Sequence, residues 1–161
     1  MNPKVNSLII LLVAFSAPGL AADVFIAPSS SIEDAIQKAG PHGRVFLKAG
    51  QYVVKRPVQI PFPITITADP VLEPGSVQIQ GGGANFPIFL STKVSQITIT
   101  NLNFVPASGL AGADRRGQGG TVWQAVNCSD VVFSGNRVYN FQTALRTANC
   151  TGVVNTNNVV R

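Results

Sequence analysis

Thr121-Val122-Trp123-Gln124-Ala125-Val126-Asn127-Cys128-Ser129-Asp130-Val131-Val132 returns 22 residues later as Thr143-Ala144-Leu145-Arg146-Thr147-Ala148-Asn149-Cys150-Thr151-Gly152-Val153-Val154. The match continues through Asn136 with Asn158 and Val138 with Val160. An earlier copy, Ile88-Phe89-Leu90-Ser91-Thr92-Lys93-Val94-Ser95-Gln96-Ile97, runs on to Leu102 and Phe104. It stands one period plus an insertion ahead, and the surplus falls in Pro106 to Gly119, where glycine is frequent and apolar alternation lapses. A unit of this length cannot bury its apolar face alone and does so by stacking on its neighbours. Three short strands per period fit one lap of a right-handed, single-stranded parallel β-helix, with laps about 4.8 Å apart.

In such a stack, residues one lap apart touch. Alternation points Ile97, Ile99, Leu102 and Phe104 inward. Val131, Phe133, Asn136 and Val138 follow in the next lap, then Val153, Asn155, Asn158 and Val160. Asn136 over Asn158 reads as an asparagine stack, each amide bonding the next along the axis. Phe89, Trp123 and Leu145 form a second interior column, so Trp123 is read as core rather than as a sugar-stacking side chain. Cys128 and Cys150 become neighbours, and a disulfide or two small buried thiols both fit. Asn127-Cys128-Ser129 and Asn149-Cys150-Thr151 match the glycosylation pattern, but repeat geometry is the simpler account of both.

The rest of the chain agrees with an all-β reading. Val45–Leu47, Tyr52–Val54, Val58–Ile60, Ile64–Thr67, Val77–Ile79, Ile88–Leu90 and Ile97–Thr100 read as short strands separated by Gly, Pro, Asn or Asp. No Asn-Gly or Asp-Gly hairpin signal joins them, which argues against an antiparallel meander. One helix stands before them. Ser31 caps it, Glu33 and Asp34 complement its positive end, Ile32, Ala35, Ile36 and Ala39 share a face, and Gly40-Pro41 stops it.

Residues 1–21 read as a secretory signal peptide. Lys4 starts it, Leu8 to Phe15 form a run too short to span a bilayer, and Gly19-Leu20-Ala21 supplies the cleavage site. The expected domain is then 22–161, long enough for about six laps at most, with an N-terminal cap over about 22–40 and coils over about 44–161, truncation at the C-terminus being left open. Export to the periplasm or medium follows, with no stable membrane span after cleavage. Only 12% of the 161 residues are charged and 45% are hydrophobic, which excludes a disordered chain. The net charge of +5 suits an acidic partner but is too scattered for a nucleic-acid footprint.

Taken together, Ser31–Ile36, Gly43–Tyr52, Pro63–Asp69, Val77–Gly82, Ile97–Phe104 and Asn127–Phe141 resemble the pectate-lyase-like β-helix superfamily. The local likeness is greatest to the N-terminal part of alginate-lyase and chondroitinase-B-type polysaccharide lyases. That resemblance implies β-elimination on acidic polysaccharide such as alginate, pectate or a glycosaminoglycan, with either Ca²⁺ or an Arg neutralising the uronate. No cofactor is evident in this sequence itself, and Asp114 and Asp130 are too few for a calcium site. The family's catalytic Lys or Arg falls outside the matched coils, so no catalytic residue carries over and enzymatic activity stays open. Candidate uronate contacts are Arg115 and Arg116 in the Gly-rich insertion, outward Arg137 and Arg146, and Lys93 near the same edge. The alternative is a non-enzymatic adhesion or assembly module, self-associating through an uncapped coil at Asn157–Arg161. Thr65, Thr67, Thr98 and Thr100 form outward Thr-x-Thr pairs that would also suit an ice or crystal surface, although Thr is a favoured exposed strand residue.

Overall fold

The computed structural model describes residues 20–81, 86–107 and 120–161. Strand β1 (Asp23–Ile26) precedes helix α1 (Ile32–Ala39), and from there strands come in threes. The first set is β2 (Gly43–Leu47), β3 (Gly50–Val54) and β4 (Val58–Ile60). The second is β5 (Ile64–Ala68), β6 (Val77–Gly81) and β7 (Phe89–Thr92), and the third β8 (Ser95–Thr100), β9 (Asn103–Pro106) and β10 (Thr121–Val126). A fourth holds β11 (Ser129–Ser134), β12 (Arg137–Val138) and β13 (Thr143–Ala148), followed by β14 (Thr151–Thr156) and β15 (Val159–Val160). Strand by strand, the chain visits three sheets in rotation. Sheet A is ordered β1-β2-β5-β8-β11-β14, sheet B β15-β12-β9-β6-β3, and sheet C β13-β10-β7-β4.

Every strand pairing among the described residues is parallel. Val131 pairs with both Ile97 and Val153, and Trp123 with both Phe89 and Leu145, so the 22-residue repeat is the pairing register itself. The described chain makes four full laps and part of a fifth, fewer than six. The connection over 69–76 takes up part of the difference, and residues 82–85 and 108–119 lie outside the described ones. β1 was not among the strands read from the sequence. Its four residues pair with β2 across the helix that follows it, Val24 opposite Val45 and Ile26 opposite Leu47.

Inward residues of successive laps form one core. Ile97, Ile99, Leu102, Phe104, Val131, Phe133 and Val138 are all essentially solvent-free, each burial contributing about 1.5–3 kcal/mol. Phe104 packs edge-on against Phe89 at 6.2 Å between ring centroids and tilted against Phe133 at 5.9 Å. Trp123 is wholly buried, and its indole N–H donates to Ser91 Oγ at 3.0 Å. Val153, Val154, Val159 and Val160 are exposed, since no described strand covers β14 or β15. At the other end, α1 lays Ile32, Ala35, Ile36 and Ala39 over the core. Ser31 accepts from the Asp34 amide at 3.2 Å, and Gly40 closes the helix. Tyr52 seals the same end, its hydroxyl donating to the carbonyls of Ile26 at 2.7 Å and Lys48 at 3.0 Å.

The turns between sheets recur in columns too. Lys93, Asn127 and Asn149 share one column and positive φ, as do Gln96, Asp130 and Gly152, and Asn101, Gly135 and Asn157. Asparagine recurs in this chain because it tolerates the left-handed conformation these corners require.

The interior asparagine column is present, but its bonding differs from amide to amide. Asn136 Nδ2 donates to the Ile99 carbonyl at 3.0 Å, and its Oδ1 accepts from the Leu102 amide at 3.1 Å. Asn158 repeats this one lap on, donating to the Phe133 carbonyl at 2.8 Å and accepting from the Asn136 amide at 2.8 Å. At the corner, strand pairing lapses and leaves backbone groups without partners. The side chain supplies both a donor and an acceptor there.

Cys128 and Cys150 lie in one column, as the period requires, and both are free thiols in this structure. Cys128 is buried with Sγ 3.6 Å from Ser91 Oγ, and Cys150 Sγ accepts from the Cys128 amide at 3.3 Å.

Asn136→Ala strips the Ile99 carbonyl and Leu102 amide of their partners in a solvent-free corner, so it is expected to cost about 2–4 kcal/mol. Urea denaturation of the two proteins measures it. Burial pushes the Tyr52 phenol up to about 12. The folded state therefore holds this proton after the unfolded chain, with its phenol near 10, has released it. The contribution is fully present below pH 10 and is lost between pH 10 and 12. Melting curves across that window should show a decline that Tyr52→Phe reduces.

Candidate functional site

The outer face of sheet B carries a groove whose floor is a column of amides. Register places Gln51 beside Gln78, Gln78 beside Asn103, and Asn103 beside Arg137. All four line the groove, with Val105 and Tyr139 on its far side. These side chains point outward because their neighbours Tyr52, Ile79, Phe104 and Val138 are the inward, buried ones. Strand alternation thus fixes the groove's chemistry at amide, amide, amide and guanidinium, one per lap.

One wall is the connection between β5 and β6. Asn103 ties it to the sheet, donating to the carbonyl of Gly75 in the connection at 2.7 Å and to that of Val77, the first residue of β6, at 3.1 Å. Asp69 Oδ1 accepts from the Val71 amide at 3.2 Å, and Ser76 Oγ donates to the Glu73 carbonyl at 2.6 Å. Gly75 has φ +105, and a β-carbon there would stand 3.1 Å from Arg137 Nη1. Glycine is therefore needed for its backbone conformation and because the wall runs against the guanidinium. A second hollow continues round the corner from Arg137, lined by Asn101, Asp69, Leu72 and Glu73. Arg137 is exposed and forms no ion pair with any described carboxylate.

Among the described residues, the sequence-derived cations do not converge. Arg137 lies on sheet B. Arg146 is exposed on sheet C, in register with Gln124 and, one lap earlier, Leu90. Lys93 occupies the left-handed corner between sheets C and A, not the edge that carries Arg137. Arg115 and Arg116 fall outside the described residues, as does Asp114. Gln51, Gln78, Asn103 and Tyr139 were not among the residues singled out from the sequence. The offset that sets Phe104 over Val138 also sets Asn103 over Arg137, whereas Gln51 and Gln78 lie in laps that no repeat aligned with them.

Among the described residues, no three His, Cys, Asp or Glu side chains gather as a metal-binding group. No helix among the described residues is long and apolar enough to cross a membrane. Comparison with family models, curated proteins and solved structures finds no match to this chain.

Gly75→Ala is expected to cost about 1–2 kcal/mol through its positive φ and to displace the Arg137 side chain. Chemical denaturation measures the first effect. A crystal structure of the variant checks the second, an unmoved guanidinium being the contrary result.

Proposed function

We propose that this chain is a right-handed parallel β-helix of the pectate-lyase-like kind, exported by a leader over residues 1–21, that binds acidic polysaccharide along the outer face of sheet B. Three parallel sheets visited in rotation support the fold, and parallel crossovers of L-residue strands are right-handed in nearly all cases. The groove supports the ligand class. Amides at strand spacing suit the repeated hydroxyls of an extended sugar chain, Tyr139 adds a flat apolar face, and Arg137 adds a fork of donors for a uronate carboxylate.

The observation that carries this reading is Arg137, held in an open, amide-lined groove without a carboxylate partner among the described residues. Uronate binding gives that guanidinium an ionised acceptor that no described residue supplies. The chain is then either the N-terminal part of a lyase or a relative that binds without cleaving. Absorbance near 235 nm separates the two, because β-elimination leaves an unsaturated product.

Arg137→Ala is expected to weaken retention on an alginate or pectate affinity gel about tenfold, matching the loss of one charge-assisted contact. Retention should also fall as salt rises. Unchanged migration of the variant would overturn the groove assignment.

A further inference from the structure

The free edge of β3 forms one side of a cleft that the polysaccharide reading does not use. β3 ends sheet B, and no described strand pairs with its other side. Gly50 donates its amide to the Ser76 carbonyl at 2.9 Å, which turns the polar groups of Gly50, Tyr52 and Val54 toward β6. Backbone direction alternates along a strand, so Gln51 and Val53 turn their N–H and C=O groups the opposite way, off the edge.

This edge is walled, unlike an edge lying open to solvent. The segment Pro28–Glu33, leading into α1, stands across from it and leaves a cleft of about 510 Å³. Pro28 packs on Gly50, its Cγ 2.4 Å from where a β-carbon would lie, and closes one end. Lys55 and Arg56 stand at the other. Arg56 contacts Glu33 at 2.7 Å yet keeps a side chain 78% exposed, and Lys55 is exposed with no ion pair among the described residues. Two cations against one carboxylate make the open end positive. Val53, 61% exposed, presents an apolar side chain on the outer face beside it.

We infer that this cleft takes a single extended acidic peptide, added to sheet B as a further strand. The edge runs five residues, about 17 Å, the usual length for strand addition. Backbone bonds to Gln51 and Val53 hold the peptide, and its carboxylates meet Lys55 and Arg56. Strand addition accounts for the unpaired backbone, and the charge at the open end selects the partner.

The test uses the full chain and a synthetic peptide, acetyl-Thr-Val-Thr-Val-Glu-Val-Glu-amide. Its counterpart carries lysine in place of both glutamates. Amide hydrogen exchange read by NMR should slow about tenfold at Gln51 and Val53 with the acidic peptide and stay unchanged with the lysine one. Lys55→Glu with Arg56→Glu should abolish the effect. If that pair misfolds, Lys55→Gln with Arg56→Gln should weaken it instead. No slowing at millimolar acidic peptide would overturn the inference, and so would equal slowing with the lysine peptide. Slowing of the same amides by an alginate oligosaccharide in place of the peptide would overturn it in favour of a longer sugar-binding groove.

Discussion

Parallel pairing in strict register between successive laps is the constraint on which the rest depends. Each strand is only two to six residues long and would not persist alone. Stacked, inward side chains lie over one another, Ile97 over Val131 and Ile99 over Phe133, and the core grows as continuous columns. A slip of one residue would turn each buried side chain outward. The same register that builds the core aligns the outward residues, so any chemistry on the surface also comes as columns. The corners obey the rule as well. There the backbone leaves the ladder, and Asn136 and Asn158 carry its hydrogen bonding across the gap.

The groove arises where regularity is interrupted. A sheet face built only of equal laps would be nearly flat. The longer connection over 69–76 rises beside sheet B, and Asn103 fastens it by a hydrogen bond to the Gly75 carbonyl. Arg137, two strands further on in the same sheet than the β6 that this connection enters, is thereby walled in on one side. The helical cap creates the second concavity in a similar way, covering the core end while standing clear of the β3 edge. Both hollows are by-products of how insertions and caps meet an otherwise repetitive surface.

The sequence made legible whatever the repeat encodes. Trp123 over Leu145, the inward set from Ile97 to Val138, and the neighbouring positions of Cys128 and Cys150 all follow from a constant offset. It was less informative where laps differ in length. Gln51, Gln78 and Asn103 are spaced 27 and 25 residues apart, so only three-dimensional register shows that Gln51 and Gln78 share the column of Asn103 and Arg137. Lys93 shows the opposite failure. Its place in the repeat is clear, but position along the perimeter depends on which sheet a residue belongs to, and that separates it from Arg137. The asparagine column was visible as a column, whereas its bonding depended on which backbone groups the corner leaves unpaired.

Disulfide trapping on sheet A tests the stacking itself most directly. With Cys128 and Cys150 replaced by alanine, cysteines are introduced at Thr98 and Val132, which pair across β8 and β11. A second protein carries them at Thr98 and Ser134, two residues out of register on the same face. The account predicts rapid intramolecular cross-linking of the first pair under mild oxidation and slow cross-linking of the second. Equal rates, or a faster second pair, would contradict it.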